Sequence, residues 1–290
     1  MRVDQNSKVV THTDPWICPT CQTTVSTPYC PGCGERPLRP RELTFRGLLG
    51  QLLGALTTVD GRLLRTFRCL IGRPGFLTLA YLQGQRKPYV GPVPLFLIAN
   101  ALFFAIESLT GGKVFTTPLD AHLHTQPWSP TAELLVSHRL AARQMTLESY
   151  APVFDHAVAV NARSLIVFMA LSFVGVLAIV FPGNRRPPVT HALFSFHLYA
   201  FLLPLLCIAT TVPPIDEWFG GGGFASEGLD HALSIMLLIA SAIYLFVATG
   251  RVYGATGAGR SVKVLVLTTA VAAIVLGYRF VLLLITLYTT

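Results

Sequence analysis

Four cysteines within sixteen residues, Cys18-Pro-Thr-Cys21 and Cys30-Pro-Gly-Cys33-Gly34, form two C-x2-C turns separated by eight residues. Each turn lets two thiolates converge on one ion, and the glycine after the second lets backbone N–H groups approach the sulfurs. Two such turns complete a tetrahedral S4 shell, which suits Zn²⁺. With sulfur at all four positions no coordination site stays open, so the expected zinc is structural and not catalytic. Residues 14–36 are too few to fold on a core of their own. Metal binding would supply the folding free energy, about 10–16 kcal/mol in comparable peptides. Iron in a rubredoxin-like site is the rival ion, and a pair of disulfides is the rival chemistry in an oxidising compartment. Cys69 and Cys207 stand apart and read as small apolar packing residues.

Other chemistry-bearing residues are polar groups set in apolar runs. Asn100, Glu107, His197 and Arg279 all lie there, with His191 at the start of one run. Ionisable groups at membrane depth are costly and are functional suspects by default. Arg279 falls at a depth compatible with Asn100 or Glu107, which suggests an interhelical polar cluster; helix-to-helix glue or snorkelling of Arg279 is the competing reading. His197 suits either a satisfied buried histidine or a proton or ligand site. His122-x-His124 offers a second metal pair, although no third ligand is fixed by spacing. Gly220-Gly221-Gly222-Gly223 lacks the Lys and Ser/Thr of a phosphate loop and reads as a flexible turn. No Ser/His/Asp or paired-carboxylate arrangement stands out, so catalytic residues stay unassigned and the chain reads more readily as a non-enzyme.

The elements that must hold these groups follow from composition. The chain has 290 residues, 52% apolar and only 12% charged, with a mean hydropathy of +0.56. Soluble domains carry about 25% charged residues. Too few charges remain to coat a water-facing globule, and disordered chains lack such apolar content. The fold class expected is an all-α integral membrane protein. About five transmembrane helices follow a small N-terminal zinc ribbon and interfacial amphipathic helices. Spans are expected at about 92–109, 164–181, 191–212, 231–249 and 264–288, each near the 20 residues that cross the hydrocarbon. An external loop covers 110–163, with a helix or two over 131–161. Residues 1–35 hold no secretory signal pattern. No inverted repeat is visible.

Charge orients the spans. Lys and Arg number 22 against 14 Asp and Glu. Seventeen of the basic residues fall in 1–91, 182–190 and 250–263, against five acids; the opposite loops hold four basic residues and eight acids. By the positive-inside rule the N-terminus is cytoplasmic and the C-terminus periplasmic or extracellular. The net charge of +8 thus reads as orientation and lipid contact, and the ribbon is a poor candidate for nucleic acid.

Three regions result: residues 1–36 as a cytoplasmic four-cysteine zinc ribbon, 37–91 as a basic amphipathic linker, and 92–290 as the membrane domain. In the linker, Leu43, Leu48, Leu49, Leu52, Leu53 and Leu56 recur at helical spacing, as do Leu63, Leu64, Phe67, Leu70 and Ile71. Arg62, Arg65, Arg68, Arg73 and Arg86 are the expected contacts to anionic headgroups. Packing of the same helices on the cytoplasmic ends of the spans is equally compatible. Gly72-Arg73-Pro74-Gly75 stops the second stretch.

The ribbon, then Asp60 with Leu64-Arg65-Thr66, Arg73-Pro74-Gly75, Tyr81-Leu82-Gln83-Gly84-Gln85-Arg86 and Pro88-Tyr89-Val90, resembles a bacterial inner-membrane family, domain of unknown function family 3667. The likeness is closest over about 16–100. It continues weakly from Pro188-Val189-Thr190-His191 to Phe201, and from Tyr244 to Tyr253-Gly254. It implies a zinc ribbon fused to a small helical membrane domain and brings no activity with it.

The expected function is that of an inner-membrane adaptor or regulatory scaffold whose ribbon docks a cytosolic protein. A small transporter or channel using Asn100, His197 and Arg279 is one rival. A membrane-embedded lipid-modifying enzyme using His191, His197 and the cytoplasmic arginines is another. The sequence leaves self-association open.

Overall fold

The computed structural model describes residues 15–37, 61–183 and 187–290. The leucine repeat from Leu43 to Leu56, and Asp60, lie outside the described residues. The ribbon is a hairpin of two short antiparallel strands, β1 (Trp16–Ile17) and β2 (Thr24–Val25), paired Trp16 to Val25. Ten α-helices follow among the described residues: α1 (Arg62–Gly72), α2 (Phe76–Leu82), α3 (Pro92–Thr110), α4 (Leu119–His124), α5 (Ser129–Arg143), α6 (Leu147–Leu165), α7 (Val167–Val180), α8 (Val189–Trp218), α9 (Glu227–Tyr253) and α10 (Gly257–Thr289).

Helices α3, α8, α9 and α10 are each long and apolar enough to cross a bilayer. Four expected spans coincide with them. The fifth, expected at 164–181, differs: α7 alone has 14 residues, and α6 and α7 meet at Ile166 with a 47° bend. The pair has the length and apolarity of a span only when taken together, bent at that break. Loop 110–163 is mostly helical, because α4, α5 and the polar part of α6 fold back over one end of the bundle.

Helix α8 sits at the centre and is buried on most of its circumference. It packs most extensively along α3, with α7 and α9 also against it. Phe96 meets Phe196 at a centroid distance of 5.4 Å near the start of both helices, and Gly112 approaches Thr210 near their ends. Helices α3 and α8 therefore run parallel. Phe96, Phe103, Phe115, Phe154, Phe173 and Phe194 fill the core. Outward faces are apolar as well: Ile235, Ile239, Ile243 and Phe246 on α9, and Val262, Leu265 and Leu276 on α10, are exposed. Such faces suit hydrocarbon as solvent. Exposed Trp218, Phe219 and Phe224 cluster where α8 ends, as interfacial aromatics do.

The linker is part of this architecture. Helix α2 wedges against α8 and α9, burying Leu77, Thr78, Ala80 and Tyr81. Gly75 makes the wedge possible. Its φ is +80°, and a Cβ there would come within 3.0 Å of the Ala248 backbone. Arg251 donates to the Pro74 carbonyl at 3.0 Å, and the Thr66 hydroxyl accepts the Val90 amide at 3.0 Å. The short motifs of the linker thus converge on one node.

Candidate metal centre and polar sites

The two cysteine turns share one backbone pattern. Gln22 N–H donates to Cys18 O, and Gly34 N–H donates to Cys30 O; Cys18 N–H donates to Thr23 O, and Cys30 N–H to Glu35 O. Residues 22 and 34 are the matching positions, both left-handed at φ of 60° and 71°. Glycine fills the second and Gln22 the first. The four Sγ atoms lie within 4.8 Å of one another, with Cys18 to Cys33 and Cys21 to Cys30 each at 3.4 Å. Sulfurs about 2.3 Å from a central ion stand roughly 3.8 Å apart in a tetrahedron. The observed spread brackets that value, and all four cysteines are free of disulfides. Cys21 Sγ sits 3.3 Å from the Thr23 hydroxyl. The side chain and then the backbone of Thr23 hold that thiol down to about 6, while burial pushes the Cys33 thiol up to about 12. The donor set fits a closed metal site.

Sequence reasoning missed how the ribbon is attached. Glu35 is only 2% exposed. Its Oε2 accepts the Thr20 hydroxyl at 3.1 Å, the Arg86 amide at 2.9 Å and the Lys87 amide at 3.0 Å. Gln85 Nε2 donates to Pro19 O at 2.8 Å, so both turns are tied to residues 85–87 just ahead of α3. The signal available in the sequence was a lone acid directly behind the last turn.

Among the linker arginines, Arg65, Arg68 and Arg73 are exposed and Arg62 and Arg86 half-buried. Leu64 and Ile71 are exposed on α1 beside them. Arg86 stacks over the Tyr81 ring at 5.0 Å.

The intramembrane candidates are not assembled into one site. His197 is buried and faces Thr78 of α2, with Nδ1 3.0 Å from Oγ1. Asn100 Oδ1 is buried without a hydrogen-bond partner. Glu107 and Arg279 grip the same loop: the Glu107 carboxylate accepts the Phe115 amide at 3.1 Å, and Arg279 Nε donates to the Val114 carbonyl at 2.9 Å. His191 Nδ1 is 2.9 Å from the Tyr253 hydroxyl, in a stack that continues to Phe181.

His122 and His124 point apart on α4. His122 is fully buried, accepting the Trp128 indole N–H at 3.2 Å, whereas His124 is exposed and pairs with Asp120 at 3.1 Å. Burial, with Arg279 nearby, lowers His122 to about 4. Among the described residues only the cysteine cluster gathers three or more metal-ligating groups. The glycine run is a packed turn. The Gly223 amide donates to Asp216 and the Phe224 amide to Glu217, and a Cβ at Gly221 or Gly223 would strike those carboxylates.

A bundle of apolar helices joined to a four-cysteine hairpin defines the class: a multi-pass helical membrane protein with a sulfur site able to bind a metal ion. Residues 60–104 match the family described as protein of unknown function (DUF3667), so the resemblance seen in the linker motifs holds over that segment. No curated protein and no solved structure matches the chain.

Proposed function

We propose that the protein is a bacterial inner-membrane adaptor or regulatory scaffold with a cytoplasmic N-terminus. Residues 1–36 hold a structural zinc ion, the arginine-bearing face of α1 lies on anionic headgroups, and residues 92–290 anchor the assembly. The observation that carries this reading is the fixed pose of the ribbon. Glu35 and Gln85 hold it on the membrane domain, while Ile17 and Tyr29 stay 65% and 59% exposed. A rigid platform with exposed apolar residues suits a protein partner. Crosslinking from position 17 or 29 of the full chain in intact cells tests it. Capture of one cytosolic protein, lost with Cys21→Ser and retained with His197→Ala, is the expected result. Undiminished capture in Cys21→Ser would refute it.

A further inference from the structure

At the end of the bundle opposite the ribbon, a cleft of about 270 Å³ opens between α3 with its following loop and α6. Its polar lining is Glu107, Ser108, Lys113, Thr116, Asp155 and Arg163. Each of the two carboxylates holds a backbone amide. Glu107 accepts the Phe115 amide, and Asp155 accepts the Leu119 amide at 2.8 Å. Neither Lys113 nor Arg163 makes a hydrogen bond or direct ion pair with another described residue, although the Arg163 charge reaches Glu107. They enter the cleft from its two sides, Lys113 from the loop and Arg163 from α6. The charged donors left unused in the cleft are therefore those of Lys113 and Arg163, and a phosphate oxygen pair answers an ammonium and a guanidinium together.

We infer that this cleft binds the phosphate ester of a phospholipid headgroup between Lys113 and Arg163. The inference stands apart from the adaptor reading, which concerns the other end of the molecule. The source of the phosphate follows from what adjoins the cleft. Ser108 belongs both to the lining and to the exposed stripe of α3 that carries Leu102 and Leu109, the latter 86% exposed. This stripe leads from the cleft along a membrane-crossing helix, so acyl chains have an apolar path directly below the headgroup. A soluble phosphate ester would gain nothing from that path.

Hydrogen–deuterium exchange of the full chain in uncharged micelles tests the assignment. Phosphatidylglycerol, glycerol 3-phosphate and diacylglycerol of matched acyl length are titrated separately. Phosphatidylglycerol is expected to protect residues 113–118. In Lys113→Gln/Arg163→Gln its midpoint should rise about tenfold or more, the scale of a lost charge-assisted hydrogen bond. Lys113→Arg should retain protection, and exposed Arg143→Gln should leave it unchanged. Equal protection by diacylglycerol would remove the phosphate from the assignment, and equal protection by glycerol 3-phosphate would remove the lipid. An unchanged midpoint in the double variant would overturn the site. Should that variant unfold, loss of protection in Lys113→Arg decides against it instead.

Discussion

Glu35 and Lys87 lie 52 residues apart, and the carboxylate of the first accepts the backbone amide of the second at 3.0 Å. Through that oxygen the metal hairpin is seated on the strand of chain that leads into α3. Glu35→Ala would leave the amides of Arg86 and Lys87 without their acceptor, at a cost of about 1–3 kcal/mol. The expected result is faster amide exchange at 86–87 with bound-metal stoichiometry unchanged, read by exchange mass spectrometry and metal analysis on one sample.

Metal removal should act on the same seat. Cys21→Ser, or a strong chelator on the wild-type chain, is expected to abolish stoichiometric zinc and expose residues 15–37 to proteolysis. The helices should stay intact, since their packing does not involve the sulfurs. Zinc retained at one equivalent in Cys21→Ser would end the tetrathiolate assignment.

Gln22 and Gly34 occupy matching left-handed positions, and an ordinary residue there costs about 1–2 kcal/mol. Gln22→Gly should relieve much of that and raise the thermal midpoint of the metal-loaded ribbon. Gly34→Ala should lower it. Opposite signs at the two positions are the result to look for; a stabilising Gly34→Ala would contradict the shared pattern.

The wedge formed by α2 makes a third comparison. Gly75→Ala places a methyl within 3.0 Å of Ala248 at a φ of +80°, whereas Gly61 has nothing within 4 Å. Gly75→Ala should destabilise by about 2 kcal/mol or more, and Gly61→Ala should be close to neutral. Chemical unfolding in micelles separates them.

His122 predicts a pH dependence. Burial lowers its folded value to about 4, below the unfolded value of 6.5. In the folded state the neutral ring is held against Trp128, so the unfolded chain takes up the proton first. Its contribution, on the order of 3 kcal/mol, is present in full above pH 6.5 and lost as the pH falls towards 4. Exchange protection over 119–143 should decline across that window, and His122→Leu should flatten the decline.

Cysteine spacing and apolar run length were legible from residues alone because both are local. A C-x2-C turn needs nothing outside itself, and four crossing helices follow directly from unbroken apolar length. The bend at Ile166 was not legible, because no proline or glycine marks it and the break depends on packing against other helices. Glu35 hid for a similar reason: its partners are backbone amides fifty residues away, and amides leave no trace in a sequence. The separation of His122 from His124 follows from helical phase once α4 is known to be a helix. Arg279 and Glu107 share a neighbourhood as depth suggested, but they meet through the backbone of loop 114–115.

The parallel course of α3 and α8 sets how far the chain must return before α8 begins. Gly112 lies beside Thr210, towards the far end of α8, while Phe181 stacks on Tyr253, which stacks in turn with His191 at its near end. Between residues 112 and 181 the chain has therefore travelled the length of α8 from His191 to Thr210, about 28 Å at 1.5 Å per residue. Arg163 still lines the cleft beside Lys113, so nearly all of that return falls to α7, with its 14 residues. Fourteen residues rise about 21 Å, so a short apolar helix entered through the bend at Ile166 brings the chain back to the start of α8.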